Sequence, residues 1–167
     1  MLIEKAIATE RLLLSLLKEE DHTFIIELLN SEGWLQFIGE RNVRSKEDAI
    51  AYIQKINHNP NITYWTVTEK TTQQPIGLVT LIQRDYLNEP DIGFAFLPQA
   101  GGKGYAYEAA KAVLDAISGE GKLSAIYAVT LPANTASIKL IEKLGLAFNK
   151  KVEIEKEELS IYSVSLK

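Results

Sequence analysis

Two short stretches hold residue types at spacings that suit chemistry on anions and amides. Residues 97–106 read Leu97-Pro98-Gln99-Ala100-Gly101-Gly102-Lys103-Gly104-Tyr105-Ala106, with three glycines in four positions. Glycines let successive backbone N–H groups turn to one side, and a following helix N-terminus adds partial positive charge; together they cradle a phosphate or pyrophosphate. The plain alternative is a flexible loop ending in a turn that only glycine allows. A P-loop is excluded because Gly104, not Ser or Thr, follows Lys103, and a Rossmann fingerprint stops halfway, at Gly102-Lys103-Gly104. The second stretch is Pro132-Ala133-Asn134-Thr135-Ala136-Ser137. Asn134 suits a helix N-cap, its side-chain oxygen accepting an amide two or three residues ahead, and on its own the stretch needs no further explanation.

The elements that must position these stretches follow from hydrophobic period. Residues 9–17 are Leu-rich and read as a first strand; Asp21 opens a helix to about Asn30, with Phe24, Ile25, Leu28 and Leu29 inward. Residues 33–44 mix aromatic and charged side chains and read as a loop or broken helix. Ser45, with Asp48 three residues on, starts a second helix in a short-armed capping box. Residues 64–69, 76–83 and 91–97 form three strands joined by polar turns. Residues 104–118 form a helix, 124–130 a strand, 135–144 a helix closed by Gly145, and 148–155 with 159–166 a hairpin. The order β-α-α-β-β-β-α-β-α-β-β predicts an α/β fold, a mixed and mainly antiparallel sheet with helices on both faces.

Composition narrows the chemistry. The 167 residues suit one domain, 1–167, with no linker or repeat. No cysteine is present, which excludes a Cys nucleophile and Cys-based metal sites, and His22 and His58 alone cannot make a His-rich one, so no metal is expected. The formal charge of −4 argues against a general nucleic-acid binder. Apolar runs are far short of the roughly 20 residues a spanning helix needs, so no membrane partner is expected. Glu4, Lys5, Glu10 and Arg11 break up any signal-peptide layout, and a cytoplasmic location is expected.

Taken together and in order, Gln99-x-x-Gly102-x-Gly104, the helix and strand after it, and Asn134-x-x-Ser137 before Glu142-Lys143-Leu144-Gly145-Leu146 resemble the GNAT superfamily of acyl-CoA N-acyltransferases. Thr9-Glu10-Arg11-Leu12-Leu13-Leu14, Tyr64-Trp65 and Asp91-Ile92-Gly93-Phe94 are similar to its Rim-type branch, which includes ribosomal-protein N-terminal acetyltransferases. The resemblance covers essentially the whole chain. It implies a strand that splays from its neighbour to take the pantetheine arm of acetyl-CoA. Phe96 and Leu97 would offer backbone groups to that arm. The amides of Gly101, Gly102, Lys103, Gly104, Tyr105 and Ala106 would hold the pyrophosphate, and Asn134 would bond the pantetheine. Lys103 is either a charge beside the phosphates or an ordinary surface lysine.

The resemblance further implies direct attack of a primary amine on the thioester, the amine being a protein N-terminus or a small molecule. Here the sequence departs from the common pattern. The Tyr that many members place seven residues after the Asn, to protonate the thiolate, is Ile141. Ser137 is the substitute the Rim-type branch implies. Gly101 stands where that branch often has Trp, and Ser15 where Arg is common. Asp91 is the first choice for a general base, ahead of Glu89, Glu40 and Asp85. Trp34, Phe37, Glu40 and Arg41 are expected at the acceptor, with Tyr64 and Trp65 on the same side. Two other readings stay open: an acyl-CoA-binding module without transfer, and a domain holding another nucleotide diphosphate at the glycine loop. A monomer or a homodimer paired through the closing hairpin are both compatible with the sequence.

Overall fold

The computed structural model describes residues 5–166. The run read as one strand over residues 9–17 is a hairpin: β1 (Ile7–Ala8) pairs antiparallel with β2 (Leu12–Leu16). Thr9 causes the reversal, since its Oγ1 accepts the Leu12 amide at 3.0 Å. α1 (His22–Leu29) buries Phe24, Ile25, Leu28 and Leu29, as the spacing requires. Asp21 stands at its N-cap but makes no side-chain bond to that helix; its Oδ2 accepts the Lys18 amide of the preceding 3-10 turn at 3.1 Å and the buried Thr66 hydroxyl at 2.8 Å. The aromatic stretch contains a short helix, α2 (Glu32–Phe37), and the loop after it is fastened by Glu40, which accepts the Arg41 and Asn42 amides. α3 (Lys46–His58) starts on Ser45 and Asp48 in the reciprocal capping arrangement.

An eight-stranded sheet runs β1-β2-β3-β4-β5-β6-β8-β7. Its remaining strands are β3 (Ile62–Glu69), β4 (Pro75–Ile82), β5 (Asp91–Phe96), β6 (Ala125–Thr130), β7 (Ala147–Ile154) and β8 (Glu157–Ser165). Every neighbouring pair is antiparallel except β5 and β6, which are parallel. Between them the chain crosses through α4 (Tyr105–Glu120), and α5 (Thr135–Lys143) follows β6.

Side-chain alternation along the strands divides the apolar residues into two cores, one on each face. Leu17, Phe24, Ile25, Leu28, Ile53, Tyr64 and Leu78 cluster with α1 and α3; Leu12, Leu14, Trp65, Val79, Ile92, Val113, Ile117 and Ile126 cluster with α4. Each fully buried aliphatic side chain contributes about 1.5–3 kcal/mol, so both faces are firmly held. Tyr64 and Trp65, being adjacent in β3, point to opposite faces, and the expectation that they line one side is corrected. Ile141 lies in the α4 core at 2% exposure, so its position carries packing.

α4 meets the sheet through Ala109 and Ala110, both fully buried, whose small side chains let helix and sheet approach closely. Its Gly119 is helical and exposed, and an added Cβ would meet nothing within 4 Å. Gly119→Ala is therefore expected to raise the unfolding free energy by about 0.5–1 kcal/mol, through lower chain entropy in the unfolded state. Urea denaturation checks this, and an unchanged or lowered midpoint contradicts it.

Candidate active site

The one parallel pair in the sheet is joined at a single rung. Asp91 pairs with Tyr127, whose amide donates to the Pro90 carbonyl at 3.0 Å, and beyond that rung β5 and β6 part. Gly93, Phe94, Ala95 and Phe96 consequently keep partial exposure although β5 is an interior strand. In an antiparallel ladder alternate residues bond to alternate sides. Leu97 donates to the Ile76 carbonyl at 2.9 Å, which fixes the phase: Asp91, Gly93 and Ala95 bond towards β4, while Phe94 and Phe96 turn their amides and carbonyls towards the gap. Unpaired backbone in mid-sheet is costly to leave unmet, and an extended amide-bearing chain laid in the gap would meet it. Leu97 is a correction: its amide serves Ile76 and its carbonyl accepts from Ala100, so Phe94 takes its place. The Phe96 ring lies against Gly77, where a Cβ would fall 2.4 Å from a ring carbon; glycine is what lets the ring settle there.

Parallel strands send both following helices off from the same end, so α4 and α5 present their N-termini at the open end of the gap. After a single 3-10 turn at Pro98–Ala100, Gly102 (φ 76°) and Gly104 (φ 79°) adopt left-handed backbone, and Gly104 occupies the N-cap of α4. The Gly101 amide donates to the Pro98 carbonyl at 3.1 Å, which removes it from the expected set. The amides of Gly102, Lys103, Gly104, Tyr105, Ala106 and also Tyr107 donate to no group among the described residues; the first bond of the helix is Glu108 to the Gly104 carbonyl. Lys103 is exposed. A run of free amides at a helix N-terminus fits a diphosphate, and the unpaired β5 backbone fits the arm that joins it.

Asn134 caps α5, its Oδ1 accepting the Ser137 amide at 3.2 Å, which leaves its side-chain NH2 without a partner among the described residues. Ser137 is half-buried and its hydroxyl makes no hydrogen bond among the described residues.

Asp91 is 2% exposed, and its Oδ2 accepts from Arg84 Nε at 2.6 Å. Burial pushes its carboxyl up, against the pull of the guanidinium. Shielded from solvent and held by the Arg84 guanidinium, it stands at the rung that joins β5 to β6. Glu89 accepts from Ser124 through both its amide and its hydroxyl, and Asp85 is exposed. Hydrogen bonds from the Asn42 amide and the Arg44 side chain hold Glu40 below the usual carboxylate range, so it fastens its own loop.

Of the other acceptor candidates, Trp34 is a core anchor at 4% exposure, Phe37 is half-buried and Arg41 is exposed. Sequence reasoning missed Tyr52 on α3. Burial and the neighbouring Tyr64 push its hydroxyl up, against the pull of Arg41, and its period-3.6 position among apolar residues concealed it. It also missed the contacts that Arg11, Glu69 and Glu108 make with the glycine loop and the start of α4. Burial opposes ionisation of Glu108, but bonds from the Thr9 hydroxyl, the Arg11 amide and the Arg11 side chain outweigh it and hold the carboxyl below its usual range. The Tyr105 hydroxyl donates to Glu69 and lowers that carboxyl likewise.

Residues 11–147 match the family model described as an acetyltransferase (GNAT) domain. The uncharacterized N-acetyltransferase YnaD of Bacillus subtilis (strain 168) is 30% identical over 140 residues, 84% of this chain and 81% of that protein. Among solved structures, a GNAT-family acetyltransferase from Bacillus anthracis superposes with a TM-score of 0.81 at 25% identity, covering 97% of this chain and 99% of that one. RimL, the ribosomal L7/L12 α-N-protein acetyltransferase solved with coenzyme A, superposes with a TM-score of 0.82 at 14% identity, covering 96% and 98%. Among the described residues no helix is long and apolar enough to cross a membrane.

Proposed function

The chain belongs to the GNAT acetyltransferase family and is an N-acetyltransferase, and from that premise we propose that it moves an acetyl group from acetyl-CoA to an α-amine, such as a peptide N-terminus. The observation that carries the reading is the continuity of unpaired backbone from Phe94 and Phe96 in the gap to the amides of Gly102 to Tyr107. Phe94 and Phe96 would bond the pantetheine, the loop amides the diphosphate, and the Asn134 side-chain NH2 a pantetheine carbonyl. Acetyl-CoA supplies the acetyl group and a thiolate leaving group.

What the chain contributes is position more than acid–base power. Holding amine and thioester together supplies much of the acceleration in such a transfer. The new bond forms from the amine nitrogen to the acetyl carbon as the carbon–sulfur bond breaks. Ser137 would bond the sulfur and relay a proton to it; with a pKa far above that of a thiol, its hydroxyl is a weak acid. Asp91 and Glu40 are engaged elsewhere, so the amine loses its proton to water. Deprotonation at pH 7 costs about 4–5 kcal/mol for a lysine-like amine of pKa ~10.4, against about 1 for an α-amine of pKa ~8. A site without a strong base therefore favours the α-amine, and the activity that RimL's name describes is the same chemistry.

An acetylation screen over peptides, polyamines and aminoglycosides with mass readout tests this. Peptides with free N-termini are expected to be labelled on the α-amine, with rates that rise between pH 7 and 8.5. Faster labelling of a lysine side chain than of matched α-amines would overturn the acceptor, and tight ATP binding without CoA binding would overturn the donor.

A further inference from the structure

We propose that Arg11 is a positioning residue for the donor: by holding the Lys103 carbonyl it aims the Gly104 amide into the phosphate cradle. The inference rests on the reading of that loop as the diphosphate site. Arg11 lies in the turn between β1 and β2, 92 residues before Lys103, and its Nη1 donates to the Lys103 carbonyl at 2.9 Å. The guanidinium is fixed on two further sides. Its Nε donates to Glu108 Oε1 at 2.7 Å, and its central carbon stands 4.4 Å from the Tyr105 ring centroid. Glu108 is held in turn by the Arg11 amide at 3.0 Å and the Thr9 hydroxyl at 2.5 Å, and Tyr105 by Glu69.

A trans peptide points its C=O and its N–H in opposite directions. Drawing the Lys103 oxygen onto Arg11 therefore sends the Gly104 N–H the other way, where no group among the described residues takes it. The clamp is needed because Gly104, free of a Cβ, lets this peptide turn over cheaply. Turned over, it would offer the phosphates a carbonyl oxygen in place of an amide. Simple charge attraction is the lesser effect, since Glu108 neutralises Arg11 within a hydrogen-bonded pair. Lysine would keep the charge but cannot bond the carbonyl and Glu108 together while lying flat on Tyr105.

The test compares wild type with Arg11→Lys and Arg11→Ala. Calorimetry measures CoA affinity, ligand-observed NMR measures pantetheine (which lacks the diphosphate), and steady-state kinetics use acetyl-CoA. Both variants are expected to weaken CoA about tenfold, the scale of one charge-assisted hydrogen bond. The KM for acetyl-CoA should rise in step, while kcat at saturation and pantetheine affinity stay within about twofold of wild type. Wild-type CoA affinity in Arg11→Lys, or equal weakening of CoA and pantetheine, would overturn the proposal. Wild type that binds no CoA would instead overturn the donor reading beneath it. Glu108→Gln loosens the clamp from its other end and gives the same comparison if Arg11→Ala does not fold.

Discussion

Gly104→Val is expected to weaken CoA binding on the order of 100-fold while the protein stays folded. The cause is backbone conformation rather than space. A Cβ at Gly104 would stand 3.5 Å from Arg11 Nη2, an ordinary contact, but φ is 79°. Left-handed backbone costs about 1–2 kcal/mol for an L-residue and more for a β-branched one. The chain relieves that strain by rotating φ at residue 104, which swings the 103–104 peptide with it. Lys103 then leaves Arg11 and the amide leaves the cradle, a further loss of about 1.5–3 kcal/mol for a bond to a charged group. Together these approach 3 kcal/mol or more. Gly102→Ala shares the left-handed strain (φ 76°) but meets no neighbour and carries no clamped carbonyl, so a loss of only about tenfold is expected there. Calorimetry with CoA, beside a melting curve to show folding, decides; CoA affinity within threefold of wild type in Gly104→Val would remove the loop from the site.

What could be read ahead of the fold depended on range. The cap at Ser45 and Asp48 and the apolar stripe of α4 are local, and both stand where period and propensity put them. The glycine loop was legible as a candidate phosphate cradle beside the plain alternative of a glycine-permitted turn. Which of its amides are free was not legible: Gly101 and Leu97 are spent on Pro98 and Ile76, and that follows from the turn after β5 and its register against β4. The break at Thr9 was hidden for the same reason. Residues 9–17 look like one strand because the Thr9 hydroxyl and Glu108 are 99 residues apart in sequence. Asp21 shows a local preference redirected, its carboxylate capping the 3-10 turn before α1 through the Lys18 amide and reaching the buried Thr66 hydroxyl 45 residues on. Arg11 was visible as a motif residue and invisible as a clamp.

The largest expected effect on stability lies at the closed end of the gap. Arg84→Met should lower the unfolding free energy at pH 7 by about 3 kcal/mol, because it leaves the Asp91 carboxylate buried without its cation. The outer part of Arg84 is solvated (its side chain is 35% exposed), which places the figure at the low end for a broken buried pair. The loss should depend on pH in a definite sense. Burial already raises the Asp91 carboxyl above its ordinary value, and without Arg84 that push is unopposed. A carboxyl raised in the folded state contributes its stability when protonated. That contribution is whole below the unfolded pKa of ~3.9 and is lost as pH rises through the folded value. Acidification from pH 7 to 5 should therefore return much of the lost stability to Arg84→Met. Wild type should gain less over the same range, because Arg84 opposes the upward push on Asp91 while Glu40, Glu69 and Glu108, held below the usual carboxylate range, give up their contributions only at lower pH. Adding Asp91→Asn to Arg84→Met removes the charge and should restore stability at pH 7 in the same way. Urea denaturation of the three proteins at both pH values is the measurement. An equal deficit for Arg84→Met at pH 7 and pH 5 would show that Arg84 acts through packing. Asp91, which begins β5 and forms its one rung with β6, would then owe its place to the backbone alone.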